Sequence, residues 1–166
     1  MTHSIRPTRQ DMVRLSDLPD WDRRNKLEKV KELTGFVTRP WVKPPSLSRC
    51  RVAVVTTAGL HRRGDRPFGP GATDYRIISG DTKAADLVMS HQSVNFDRTG
   101  FQEDHNVVFP IDRLNELARR GVIASVAAYH YSFMGATQVN DLRDNAHELA
   151  PLLKQDNVDA VLLTPV

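Results

Sequence analysis

Residues 51–60 read RVAVVTTAGL, and residues 158–166 read VDAVLLTPV. Each holds a continuous apolar run, Val52–Val55 and Ala160–Leu163, rather than an alternation of apolar and polar residues. Such runs suit strands buried on both faces, as in a parallel sheet. The intervening sequence supplies the helices that a parallel sheet needs. Pro110–Arg120 carries Leu114, Leu117 and Ala118 on one face and meets a glycine stop at Gly121. VIASVAAYH (122–130) then reads as a strand ending near Tyr129, followed by a loop, YSFMGATQVN. Asp141–Lys154 is a second amphipathic helix, its stripe formed by Leu142, Ala146, Leu149, Leu152 and Leu153, with Pro151 bending its end. Strand, helix, strand, helix, strand predicts an α/β fold: an open, mostly parallel sheet with flanking helices, like half of a Rossmann fold. The closing strand, being so apolar, is expected at the centre of that sheet.

Reading outward, HRRGDRPFGPGATD (61–74) is rich in glycine, proline and charge and reads as a loop. YRIIS (75–79) is a short strand, Leu87–Ser90 another extended piece, and QSVNFDRTGFQEDHN (92–106) a polar, irregular loop. Near the N-terminus, Pro19 and Asp20 open a helix through Trp21, Leu27, Val30 and Leu33, with Gly35 as its stop. TRPWVKPPSLS (38–48) then holds three prolines and reads as an extended linker. The expected organisation is an N-terminal helical arm and linker over residues 1–48 and an α/β domain over residues 49–166.

Composition narrows the function classes. The 166 residues include 23 Lys and Arg against 20 Asp and Glu, a formal net charge of +3. The bases are interleaved with acids (Arg23, Arg24, Lys26, Lys29 and Lys31 among Asp22, Glu28 and Glu32), so no nucleic-acid footprint is expected. No apolar run approaches the roughly 20 residues that span a bilayer, and MTHSIRPTRQDM has no apolar signal core. A cytoplasmic protein without a membrane role is the expectation. A single cysteine, Cys50, allows no disulfide within the chain, and as the residue before an apolar strand it reads as a buried thiol.

In an open parallel sheet the site lies beyond the carboxyl ends of the strands. Thr57, Gly59 and His61 follow the first strand; His91 and Asn95 follow the third; His130, Tyr131, Ser132 and Gly135 follow the fourth; Thr164 follows the last. Asp104 and Asn106 stand on the loop between. Three histidines from separate loops could share one rim, with His91 and His130 moving protons. Thr57, Gly59, His61, Asp104, Asn106, Tyr131, Ser132 and Thr164 would then line a polar pocket for a small zwitterion. Plainer roles stand beside these. A histidine at a strand end can be a packing donor, Asp104 and Asn106 can cap the helix that Pro110 opens, and Gly59 and Gly135 can serve tight turns. No HxH or HExxH pair marks a metal site, and neither GxGxxG nor a P-loop marks a nucleotide site.

The segments TTAGLHRRGDRPF, YRIISGDT, SHQSVNFD, DHNVVFPIDRLNELARRGVI and HYSFMGA occur in an order that resembles the selenoprotein B family of glycine, betaine, sarcosine and D-proline reductases. The most specific pieces are Asp104–Leu114 and His130–Gly135, and the likeness runs from about Val52 to Val166. It implies reductive C–N cleavage by a selenocysteine or cysteine nucleophile, with electrons from a thiol donor. It also implies a small amino-acid or betaine substrate, held by a pyruvoyl group on a partner subunit, and hence an oligomer. The family's redox residue follows a strand like DAVLLTP. The resemblance therefore places it immediately after Val166, with selenocysteine in the full-length protein, no catalytic residue or cofactor of its own within these residues, and a UGA codon read as stop. Two other readings are a non-catalytic module that binds a small molecule or partner, and a metal-dependent hydrolase built on the His/Asp rim.

Overall fold

The computed structural model describes residues 14–32, 42–94 and 96–166. The chain divides into two units, residues 1–40 and 41–166. In the first, helix α1 (Asp20–Glu32) buries none of its residues; Trp21 and Val30 are exposed. Short-range ion pairs lace it, Arg23 with Asp20 and Lys31 with Glu28. The expected helix stop, Leu33 and Gly35, lies outside the described residues.

The second unit is built around β1 (Arg51–Thr56). Along one side β1 pairs in parallel with β7 (Ala160–Thr164), from Val52↔Ala160 to Thr56↔Thr164. Its other side is shared by two short parallel strands. β5 (Ser125–Val126) meets its start and β6 (Tyr129–Ser132) its end. β3 (Arg76–Ser79) adds antiparallel to β6. Beyond β1, β2 (Leu60–Arg62) and β4 (Leu87–Met89) form a separate antiparallel pair, so the expected loop at 61–74 begins with two strand residues. Helices α2 (Thr99–Glu103), α3 (Ile111–Arg119) and α4 (Arg143–Gln155) complete the unit. Pro151 lies inside α4.

The apolar stripes decide the layering. Val52 and Val54 face a core with Ile111 and Leu114 of α3, Phe109 and Leu60. Val55, Tyr131 and Phe133 face Leu149, Leu152 and Leu153 of α4. A helix therefore covers each face of the sheet, as the continuous apolar run of β1 requires.

Two expectations need correction. The closing strand is not central: among the described residues β7 pairs only with β1, and Val161, Leu162 and Leu163 are 37%, 39% and 67% exposed. An apolar run shows that a strand can be buried on both faces; burial still needs a neighbour on each edge, and β7 has one. Secondly, the strand at 122–130 does not end near Tyr129. It breaks at Ala127 and Ala128 and resumes, so His130, Tyr131 and Ser132 lie within β6 rather than in a loop beyond it.

Candidate functional site

The break between β5 and β6 is stabilised by side chains. Asp156, just past α4, accepts from the N–H groups of Ala128 (2.7 Å) and Tyr129 (3.2 Å) through Oδ2. Its other oxygen pairs with the Arg51 guanidinium. Burial alone would raise the Asp156 pKa, but Arg51 and the two backbone donors outweigh it and hold the carboxyl below its usual range. Arg51 also donates to the Asp156 and Val126 carbonyls. This node ties the start of β1 to β5 and to the turn before β7.

His130 fills the gap in the ladder. Its Nδ1 accepts from the Val54 N–H at 3.0 Å, a bond that a strand carbonyl would otherwise accept. That contact places the proton of the neutral ring on Nε2. The ring is fully buried, edge-on to Phe109 at 5.5 Å. Burial pushes its pKa down to about 4; Asp156 opposes this and Arg51 adds to it.

His91 lies elsewhere. Its Nδ1 accepts from the Ser93 N–H, its ring tilts against Phe96, and burial, aided by Arg98, lowers its pKa. His61, in β2, sets Nδ1 against the Arg62 carbonyl at 3.0 Å, so its proton is on Nδ1. The Nε2 of all three rings is buried without a hydrogen-bond partner among the described residues. His61, His91 and His130, expected to share one rim, each set Nδ1 against a different backbone group. Each ring has its own surroundings, and no three His, Cys, Asp or Glu side chains among the described residues group as metal ligands. Asn95 lies outside the described residues.

Asp104 caps the short turn His105–Val107, and Asn106 reaches the first turn of α3. Asp104 Oδ1 accepts from the Asn106 N–H at 2.9 Å, while Asn106 Oδ1 accepts from the Asp112 N–H at 3.1 Å. Tyr131 is on the α4 face, in a groove of about 300 Å³ with Ile77, Tyr129, Leu152, Gln155 and Asp156. Burial, then the nearby Asp156 charge, raises its pKa. Ser132 is fully buried and accepts from the Leu60 N–H at 2.7 Å. Ser132 pairs with Thr56, the neighbour of Thr57, and Thr56 pairs on its other side with Thr164.

What does converge is the carboxyl end of β1. Thr56 Oγ1 donates to the Thr164 carbonyl, and the Thr57 N–H donates to the same oxygen at 3.1 Å. The Val166 N–H donates to Thr57 Oγ1 at 2.8 Å, and the Gly135 N–H to the Thr57 carbonyl at 2.8 Å. Gly59 has φ +64°, and a Cβ there would sit 3.0 Å from the His91 backbone. Thr57, Gly59, Thr164 and the His91 main chain thus meet at the edge where β1, β6 and β7 end. Of this group the sequence reading missed the role of Gly135; its place after the strand signalled a turn but not the close approach.

This edge is built from segments on which a family model also matches. The model of the glycine/sarcosine/betaine reductase selenoprotein B family matches residues 36–166. The chain belongs to this family. Among its curated relatives is the D-proline reductase subunit gamma of Acetoanaerobium sticklandii, 35% identical over 145 residues, 81% of this chain and 59% of the relative. The glycine reductase complex component B subunit gamma of Symbiobacterium thermophilum is 36% identical over 130 residues, covering 73% of this chain and 30% of the relative. The sarcosine reductase complex component B subunit beta of Peptoclostridium acidaminophilum is 36% identical over 124 residues, 71% and 28% of the two chains. The chain therefore spans about 60% of the first relative and under a third of the others. No solved structure matches it. Among the described residues no helix is long and apolar enough to cross a membrane.

Proposed function

We propose that this chain supplies the α/β portion of a reductase-complex subunit that cleaves a C–N bond of a small amino acid or betaine, with a selenocysteine or cysteine nucleophile directly after Val166. The observation that carries this is the position of Val166. It leaves β7 beside Thr57 and Gly135, at the carboxyl end of β1. Open α/β sheets place their chemistry at this edge.

In the proposed reaction the chalcogenolate attacks the activated substrate carbon. The C–N bond breaks with its electron pair moving to nitrogen, which takes up a proton. A neighbouring thiol then attacks the chalcogen, the carbon leaves with its electron pair and is protonated, and the protein keeps a selenium–sulfur or disulfide bond. A thiol donor returns the two electrons. A selenol is ionised at neutral pH, whereas an unassisted thiol has a pKa of about 8.5, which favours selenium here. Likeness to the selenoprotein B family supports a pyruvoyl group on a partner subunit as the carbonyl that holds the substrate amine. His91, whose main chain packs against the Gly59 turn and whose ring carries its proton on Nε2, is the candidate proton carrier. A cytoplasmic location accords with the thiol chemistry.

Sequencing the gene past codon 166 tests the reading. An in-frame UGA or cysteine codon followed closely by a cysteine codon is expected. The assembled complex should release amine from glycine, sarcosine or betaine, or open the ring of D-proline to a linear amino acid, with dithiothreitol as donor. A frame without such a residue, or neither amine release nor ring opening with any of the four, would refute it.

A further inference from the structure

Thr57 is bonded to three residues of two segments at once. Its N–H reaches the Thr164 carbonyl, its carbonyl accepts from Gly135, and its hydroxyl accepts from the Val166 N–H. The same hydroxyl lies 3.4 Å from the Val166 carbonyl oxygen. Gly135 closes the other side. A Cβ at residue 135 would fall 2.6 Å from the Val166 carbonyl oxygen and 2.8 Å from that of Thr57. Both are backbone atoms, which cannot swing aside as a side-chain tip does. The requirement for glycine here is one of space. The Val166 side chain, meanwhile, packs against the α3-side core.

Val166 is thus held at its N–H, its carbonyl and its side chain. Successive Cα atoms are 3.8 Å apart. Fixing the Val166 peptide therefore fixes where the next residue starts and which way its side chain leaves. We propose that Thr57 and Gly135 are positioning residues for the reductase nucleophile, a clamp on the backbone from which it issues. This rests on the proposed function, in that the nucleophile must follow Val166. It goes further in naming the groups that aim it. Nucleophilic attack requires reacting atoms held near contact and in line, and a misplacement of about 1 Å costs about 100-fold in rate.

The test uses the complete polypeptide in its complex. Thr57→Val keeps the shape of the side chain and removes the hydroxyl; Thr57→Ser keeps the hydroxyl. Thr57→Val should lower kcat by about 10- to 100-fold with KM within about twofold, and Thr57→Ser should restore most of it. Alkylation of the nucleophile by iodoacetamide should stay within about threefold of wild type across pH, because its ionisation is untouched. Gly135→Ala should reproduce the kcat loss. A wild-type kcat in Thr57→Val, or a Thr57→Ser variant as impaired as Thr57→Val, overturns the proposal. Amide exchange at Val166 provides an arm independent of catalysis: protection should fall about tenfold or more in Thr57→Val and persist in Thr57→Ser. Unchanged protection in Thr57→Val overturns the clamp itself. Lost protection in a protein whose frame encodes no nucleophile after Val166 overturns the proposal through the functional reading instead.

Discussion

Acid should weaken this fold through His130. The ring is neutral in the folded protein because it is fully buried and its Nδ1 lone pair is committed to the Val54 N–H. Its folded pKa is about 4, against an ordinary value of 6.5. As pH falls below 6.5 the unfolded chain takes up this proton and the folded protein does not. Stability from this group is therefore complete above about pH 6.5 and declines toward pH 4, below which both states are protonated. At about 1.4 kcal/mol per pH unit across that window, the full loss is about 3.5 kcal/mol. His130→Asn isolates it, because an asparagine oxygen can accept from Val54 but does not titrate in this range. The variant loses the ring contact with Phe109 and starts less stable, so the comparison is of slopes. Urea unfolding of both proteins at pH 7, 6, 5 and 4.5 should show the wild type losing about 2–3 kcal/mol more than the variant over that span. The contributions of His91 and Asp156 are common to both and cancel. Parallel stability–pH curves, or a His130 proton resonance titrating near 6.5 in the folded protein, would refute the reasoning.

Three other perturbations follow from the same geometry. Asp156→Ala leaves the Arg51 guanidinium without its carboxylate and the Ala128 and Tyr129 N–H groups without an acceptor; it should cost about 2–4 kcal/mol in chemical denaturation. Leu163→Lys, at a side chain two-thirds exposed on the outer strand, should change stability by under about 1 kcal/mol and reduce self-association measured by light scattering. Cys50 is fully buried with Sγ near the Ser46 carbonyl, so an aromatic disulfide reagent should modify it only at the rate of unfolding; rapid labelling of the native protein would contradict that burial.

The pattern in the sequence carried the helices and β1 well, because α3 and α4 each show an apolar stripe at helical spacing and β1 holds the continuous apolar run Val52–Val55. It could not carry the order of strands. Nothing in RIIS distinguishes an antiparallel strand from a parallel one, and nothing in AVLLT reveals that β7 has a neighbour on one side only. The interruption at Ala127 and Ala128 was hidden because its stabilising groups are remote in sequence: Asp156 lies 28 residues on, and His130 reaches back 76 residues to Val54. At the carboxyl edge, Thr57, Gly59 and Thr164 were readable from their places after strands. Asp104 proved to cap a short turn and Asn106 to reach the first turn of α3, roles their residue types also favour. The contacts of the histidines were not readable, because the Nδ1 partner of His130 is the Val54 N–H, far off in sequence.

The hydrogen bonds of Arg51 to residues beyond its own strand reach across 74 to 108 residues. During synthesis at about 10 residues per second, β1 therefore waits on the order of ten seconds before its first and last partners have left the ribosome. Through that interval its Val52–Val55 run has no ladder to join and is open to pairing with other nascent chains. Yield of soluble protein should therefore depend more on translation speed and chaperone supply than on the equilibrium stability of the finished fold.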